Sequence, residues 1–423
     1  MNYHLILAVF LFVTTYFFIL TEKFNRTTVA MFGAILTLVF FVEDNSFALG
    51  SIDFNTVALL IGMMVIVNIL KKTGVFEYVA IYAAKLVKGN PWAILVLLSI
   101  LTAISSAILD NVTTILLVAP VTIVLAKNLD LNPIPFIMSE VLLSNIGGSS
   151  TLIGDPPNIL IGSASGFGFN DFLINMMPVV ILVVIANLFV LKIAYKKKLS
   201  SSEESRNAIM KMDESLLIKD KSLLIKSVIV LIITITGFLT HQSLGYESST
   251  VAMFGASLLL LISKLDPEEI MAEIEWPTIF FFIALFVLVG ALEKVGVIEF
   301  LARSTINLTG GNLEMTVMFV LWGSAIASAF LDNIPFVASM IPIIKDMGEI
   351  SGLDTTPLWW ALALGACLGG NGTIIGASAN VVAAGLLDKY SYKLSFKQFM
   401  KVGMPVMLVS IVISSIYLYV RYL

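Results

Sequence analysis

The segment TVAMFGA occupies positions 28–34 and recurs at 250–256, and the 222-residue offset then holds without a gap through most of each half. IDFNTVALLIGMMVIVNILKKTGVFEYVA from Ile52 matches IEWPTIFFFIALFVLVGALEKVGVIEFLA from Ile274. AISSAILDN from Ala103 matches AIASAFLDN from Ala325, and IGGSSTLIGDPPN from Ile146 matches LGGNGTIIGASAN from Leu368. The chain is two copies of one unit, so its fold has to be assembled from two equivalent sets of elements.

Those units belong in a membrane. Of the 423 residues, 58% are hydrophobic and 13% charged, against about 25% charged in soluble domains; the mean hydropathy is +0.98. Apolar runs of about 20 residues recur from end to end, long enough to cross a hydrocarbon core about 30 Å thick. The first run, 5–20, lacks a basic leader and a small-residue cleavage site, so it reads as a retained span. Cys367 is the single cysteine, which excludes an intrachain disulfide and a cysteine-based metal site. His4 and His241 fall at expected outer span ends and are assigned no role.

Each half reads as five spans: 3–20, 28–42, 54–70, a broken fourth span 133–166 and 172–194, then 223–240, 250–263, 276–292, a broken 357–388 and 402–420. Between the third and fourth spans lie two further apolar stretches, 92–109 with 112–126 and 313–331 with 334–347, each pair split by Asp-Asn. An ionised Asp at the centre of a full span costs about 2.5–3.5 kcal/mol on insertion scales, so each pair reads as a re-entrant hairpin with Asp-Asn at its tip. Short amphipathic stretches, 76–88 and 298–309, precede the hairpins and are expected along the interface. A hairpin returns to its own side, so each half crosses an odd number of times and the copies are expected to be inverted relative to each other.

With the N-terminus outside, 21 of the 25 Lys and Arg, Arg26 among them, fall in inner loops. Only Lys294, Arg303, Lys345 and Arg421 are left outside, and the positive-inside rule then fixes the orientation. Lys197 and Lys389 are expected inside, Asp44 and both termini outside. The expected organisation is a first repeat 1–195, a charged, Ser-rich cytoplasmic linker 196–221, and a second repeat 222–423. The linker reads as a tether, with lipid-headgroup contact by its lysines as the alternative.

Three constellations carry chemistry. The first is the pair of tips: Asp110, Asn111, Thr113 and Thr114 in one half, Asp332 and Asn333 in the other. Polar groups at membrane depth are tolerated where they line a cavity, and there they can replace an ion's water shell. Asp110, Asn111, Asp332 and Asn333 are the Na⁺ candidates, and the carboxylates could equally titrate. The plain alternative is that Asp-Asn caps the second arm. The second constellation is the break in the fourth span, Gly147, Gly148, Ser149, Ser150 and Thr151 matched with Gly369, Gly370, Asn371, Gly372 and Thr373. Adjacent glycines unwind a helix cheaply and admit other backbone; a small-residue packing face is the alternative. The third follows it: Asp155 and Asn158 against Ala377 and Asn380. Proton or charge roles fall to Asp110, Glu140, Asp155 and Asp332; Glu140 could instead be structural, paired with a nearby donor. No Lys or Arg sits in these stretches, so an anion would be held by helix N-termini, hydroxyls and amides.

At these motifs the chain resembles the ion transporter superfamily: arsenite permeases, NhaD-type antiporters and divalent-anion/sodium symporters. SAILDNVTTILLVAPVTI, EVLLSNIGGSSTLIGDPPNILI, SAFLDNIPFVASMIPII and ALALGACLGGNGTIIGASANVVAAG are similar to its melanosomal P protein branch. The resemblance implies an all-α polytopic membrane protein with inverted repeats, a scaffold part and a moving transport part, elevator-type motion and a homodimer. In the symporters the tips read Ser-Asn-Thr; here Asp110 and Asp332 stand at the Ser position and Val112 and Ile334 at the Thr position, a departure from a dicarboxylate site. At the tip, Asp-Asn with threonines is more similar to the NhaD-type antiporters.

The expected function is secondary active transport of a small ion coupled to Na⁺ and/or H⁺, as antiport or as coupled anion transport. An anion channel on the same fold, or a dicarboxylate or arsenite permease, is the alternative. No Ser-His-Asp, HExxH or Cys-His arrangement points to an enzyme. No cofactor is expected beyond the coupling ions. The expected partners are the substrate ion, the bilayer of the plasma (inner) membrane and a second copy of the chain, with no nucleic acid.

Overall fold

The computed structural model describes residues 3–21, 23–41 and 45–423; Asp44 lies outside the described residues. All regular structure among them is helical. In the first half α1 (Tyr3–Leu20), α2 (Arg26–Phe41), α3 (Asn45–Ser51) and α4 (Phe54–Lys71) are followed by the amphipathic α5 (Val75–Leu86). The two hairpin arms are α6 (Pro91–Ile108) and α7 (Asn111–Asn128). The broken span is α8 (Ile134–Gly148) and α9 (Pro156–Ser165), and the fifth is α10 (Phe169–Asn175) with α11 (Met177–Tyr195). The linker carries α12 (Glu203–Met210).

The second half repeats the order. α13 (Lys221–Leu244), α14 (Ser248–Ser263), the short α15 (Pro267–Ala272) and α16 (Trp276–Lys294) lead to α17 (Val297–Leu308). The arms α18 (Leu313–Phe330) and α19 (Asn333–Ser351) follow, then the broken pair α20 (Thr356–Gly369) and α21 (Ser378–Lys389), and α22 (Phe396–Tyr422). Among the described residues eight helices are long and apolar enough to cross a membrane, including α4, α16, α11, α13 and α22. The arms α6, α7 and α18 also pass that test at 18 residues each, about 27 Å of helix.

Local chemistry sets the boundaries. Asp53 caps α4 by accepting from the Asn55 and Thr56 amides at 3.0 and 3.2 Å. Asn90 caps α6, with Pro91 at its first position, where no amide bond is lost. Each fourth span stops at its glycine pair: the chain leaves α8 at Ser149, while α20 ends at Gly369 and passes from Gly370 through two short 3₁₀ turns before Ser378.

The helices sort into two bodies. α4 packs chiefly on α14, and α16 on α2, so the third span of each half lies against the second span of the other. With α1 and α13 these form one body. The hairpins, broken spans, α11 and α22 form the second, through α6 against α8, α18 against α20 and α11 against α22. The two sequence repeats are thus interleaved in space. In lipid there is little hydrophobic drive between helices, and close approach of small residues replaces it. A Cβ on Gly62 would meet the Ala252 backbone at 2.8 Å, and one on Gly255 would meet Thr234 Oγ1 at 2.1 Å. α5 and α17 connect the bodies, since each packs on a hairpin arm of the second, α7 and α19 respectively.

The linker is more than a tether. Lys85 on α5 donates to the Met212 carbonyl at 3.1 Å and to Glu214 at 2.5 Å, and the Lys219 amide donates to the Thr73 carbonyl at 3.0 Å. Lys85 holds the Glu214 carboxyl below its ordinary range. Ile209 is also buried and anchors α12 against α5 and α7.

Candidate functional site

The two tips meet. Asp110, Asn111, Asp332 and Asn333 line one cavity of about 540 Å³ between the bodies, together with Asp155 from the first broken span. The other wall comes from α1, α2, α4 and the start of α16. A break in the fourth span and a break between the arms leave helix ends, not lipid-facing sides, pointing at the cavity. This is the arrangement in which unpaired backbone groups are tolerated at membrane depth.

Both tip carboxylates act as caps. Asp110 accepts from the Thr113 amide at 2.8 Å and Asp332 from the Ile334 amide at 3.1 Å. Beyond the cap they differ. Arg26, at the start of α2, donates through Nη1 to Asp332 and to Ser378 Oγ at 2.6 Å. Ser378 Oγ also lies 2.8 Å from Asp332 Oδ2. The guanidinium sits over the Phe281 ring, 5.4 Å from its centroid. Nearby, the Tyr16 hydroxyl donates to the Pro335 carbonyl at 2.9 Å. This corrects the sequence reading that no Lys or Arg stands among these groups. The position of Arg26 at the first turn of an apolar helix was visible; the partner 306 residues away was not.

The asparagines complete the tips. Asn333 Nδ2 faces both Asp155 oxygens at 3.4 Å. Asn111 Nδ2 donates to Asn145 Oδ1 at 3.0 Å, and Asn145 Nδ2 donates to Asn371 Oδ1 at 2.8 Å and to Asn380 Oδ1 at 2.9 Å. A buried amide network thus ties the first tip to the second half's broken span, and unmet donors there would be costly. Asn145 was missed, although it stands two residues before the glycine pair.

The break residues stand behind the tips, off the cavity wall. Asn158 Nδ2 donates to the Thr151 carbonyl at 2.8 Å, and Asn380 Nδ2 to the Thr373 carbonyl at 2.8 Å. Thr151 Oγ1 donates to the Ala107 carbonyl at 2.5 Å, and Thr373 Oγ1 likewise to Ala329. Ser149 and Ser150 hydroxyls return to the Ile146 and Gly147 carbonyls at 2.7 and 2.6 Å. A Cβ on Gly147 would lie 2.1 Å from the Ala103 carbonyl oxygen, and one on Gly369 would lie 2.6 Å from the Ala325 backbone. Gly148 and Gly370 approach the Gly154 and Gly376 carbonyls in the same way. These side chains satisfy freed backbone and seat the hairpins. Thr114 is buried in α7 with its hydroxyl unpartnered. Glu140 lies off the cavity wall, where Thr122 Oγ1 donates to it at 2.6 Å and its second oxygen has no partner.

Glu275, before α16, is a fourth acid on the cavity wall that the sequence reading passed over. Among the described residues the wall therefore holds Asp110, Asp155, Glu275 and Asp332 against one cation, Arg26. Such a cavity concentrates cations and repels free anions except at the guanidinium.

The comparisons with known proteins agree with this architecture. The family description "Citrate transporter" (CitMHS) matches residues 16–365. An uncharacterized transporter of Mycobacterium tuberculosis is 43% identical over 428 residues, covering 99% of this chain and 98% of its own. The P protein of Mus musculus is 36% identical over 505 residues, covering 98% of this chain and 60% of its own. The crystal structure of the Alcanivorax borkumensis YdaH transporter superposes with a TM-score of 0.62 at 11% identity, over 99% of this chain and 98% of that one, so the fold is shared. The chain is a multi-pass membrane transporter, not an enzyme, and it belongs to the citrate transporter family CitMHS of the ion transporter superfamily.

Proposed function

We propose that this chain is a secondary active transporter that moves a small anion across the membrane with Na⁺ and/or H⁺. The observation that carries it is the convergence of both tips on one cavity that holds, among the described residues, four carboxylates and a single guanidinium. Cations gather at the acids, and an anion enters that field only in their company. Arg26 tips the balance from cation antiport toward coupled anion transport, and the family's description, citrate transporter, suggests the kind of anion.

The two bodies supply the motion. The body of α1–α4 and α13–α16 is the scaffold, and the hairpins with the broken spans are the part that carries the site across. The repeats are inverted, the hairpins re-entrant, and the scaffold faces a second copy. With Lys23 and Lys264 on the cytoplasmic side, the end of the cavity lined by Phe24 and Glu275 is the inward one. The test is proteoliposome flux of citrate, succinate, phosphate, arsenite and chloride with Na⁺ and pH gradients imposed separately. Uphill anion movement driven by one gradient is expected. Anion flux that ignores both gradients would mean a channel.

A further inference from the structure

Arg26 is an unusual group for this wall. A guanidinium is always charged and presents its donors in a planar fork suited to a carboxylate. Here the fork is only partly used. Among the described residues both of its hydrogen bonds, to Asp332 and to Ser378, leave from Nη1. About a third of the side chain, 32%, stays exposed at the cavity. Phe281 fixes one face of the plane and Tyr16 fixes the adjacent hairpin backbone at Pro335. Arg26 belongs to the scaffold, whereas Asp332 and Ser378 belong to the mobile body. The pair therefore bridges the surface along which the proposed motion takes place.

We infer that Arg26 is the anion-binding residue of this transporter, that its ligand is a carboxylate-bearing anion, and that Asp332 occupies the guanidinium in the anion's place. The inference rests on the transporter reading above. A substrate carboxylate replaces Asp332 like for like, so the guanidinium is never left unpaired at membrane depth. The displaced Asp332 lies beside Asn333 and Asp155, where another unpaired negative charge is unfavourable. A coupling cation arriving at that carboxylate removes the repulsion. Cation and anion are then coupled through Asp332 without touching each other. The first tip has its carboxylate, Asp110, but no such guanidinium: Ser248 stands 222 positions beyond Arg26, so one anion site per chain follows.

The experiment is thermal unfolding of the purified full chain in detergent, titrated with citrate, succinate, phosphate and chloride at constant ionic strength and pH. Asp332→Asn removes the competing charge and should respond to the carboxylates at a concentration about 5-fold lower than the unaltered chain, the size of one partly exposed ion pair. Arg26→Gln should lose the carboxylate response, and Arg26→Lys should keep part of it. Phosphate and chloride should act less than the carboxylates. An Arg26→Gln protein that responds like the unaltered chain would overturn the inference. So would an Asp332→Asn protein with no gain, which remains decisive if Arg26→Gln fails to fold. A chain that responds to no carboxylate at all also overturns it. The coupled flux described above is measured on the same preparation. Gradient-driven flux with carboxylate binding indifferent to Arg26 sinks this inference alone, whereas gradient-independent flux sinks the transporter reading.

Discussion

The two hairpin tips have the same Asp-Asn sequence and each Asp caps the arm that follows, Asp110 through the third amide and Asp332 through the second, since Pro335 offers no N–H at the third, yet they stand in different company. At the first, Asp110 caps α7 and faces other acids across the cavity, while Asn111 joins the buried amide network of Asn145, Asn371 and Asn380. At the second, Asp332 caps α19 and is bound by Arg26 and Ser378, while Asn333 faces Asp155. The positions where the repeat fails explain the difference. Arg26 stands opposite Ser248, Tyr16 opposite Phe238, Asp155 opposite Ala377 and Ser378 opposite Pro156. All four of these departures gather around the second tip. The repeat supplies two matching Asp-Asn tips, and the mismatched residues make an ion pair at the second and none at the first. A bare carboxylate among acids suits a cation, and a carboxylate paired with a guanidinium suits exchange with an anion.

The largest expected effect is on coupled flux. Asp110→Asn and Asp332→Asn keep size and capping ability and delete the charge. Each should lower gradient-driven flux by at least about 100-fold, the scale of about 3 kcal/mol, with folded protein still recovered from both. The two should fail differently. If Asp110 is a ligand of the coupling cation, as proposed, raising the Na⁺ or H⁺ gradient should not rescue Asp110→Asn. Asp332→Asn should retain downhill anion exchange that no longer follows the cation gradient. Identical residual behaviour in the two mutants would erase the distinction between the tips. Normal coupled flux in both would remove the carboxylates from the mechanism altogether.

Most of the skeleton of this site was legible in the sequence. Apolar run lengths, Asp-Asn interruptions and glycine pairs are local signals, and the helices fall within a few residues of the expected spans. The break positions were legible for the same reason, although their side chains proved to satisfy backbone and seat the hairpins instead of lining the cavity. What stayed hidden was which scaffold residues face the tips. Arg26, Tyr16 and Glu275 reach the tip region only because α1, α2 and the start of α16 close over the hairpins, a tertiary event between segments up to about 320 residues apart that no local pattern reports. One signal was available: Arg26 and Tyr16 are mismatched between copies, as Asp155 is, and repeat mismatches at the ends of apolar runs pointed to the working face.

A smaller effect is expected where the copies do agree. Gly147 and Gly369 both bring the fourth span against the first hairpin arm, with only backbone in the way of a Cβ. Alanine at either position forces two helices apart and should cost about 1–3 kcal/mol, read as a lowered unfolding temperature in detergent. Gly147→Ala should be the worse, because the clash is 2.1 Å against 2.6 Å. A neutral Gly369→Ala would mean that the second tip is held in place mainly by Arg26, and the asymmetry would then extend from chemistry to support.

The smallest effect is the most direct measure of the difference between the tips, and it is thermodynamic. At the first tip Asn is nearly as good a cap as Asp, so Asp110→Asn should change stability by only a few tenths of a kcal/mol. Relief of repulsion from Asp155 and Glu275 offsets part of even that. At the second tip the same substitution also breaks the pair with Arg26. The pair is partly exposed, with 32% and 14% of the two side chains accessible, so its contribution is about 1 kcal/mol, not the several expected of a fully buried pair. A double-mutant cycle isolates it: Asp332→Asn, Arg26→Gln and the combination should give a coupling near 1 kcal/mol, while Asp110→Asn with Arg26→Gln should be additive. Equal coupling of Arg26 to both carboxylates would show that the guanidinium serves the cavity as a whole. The second tip would then hold no private ion pair, and the assignment of anion exchange to Asp332 alone would fail with it.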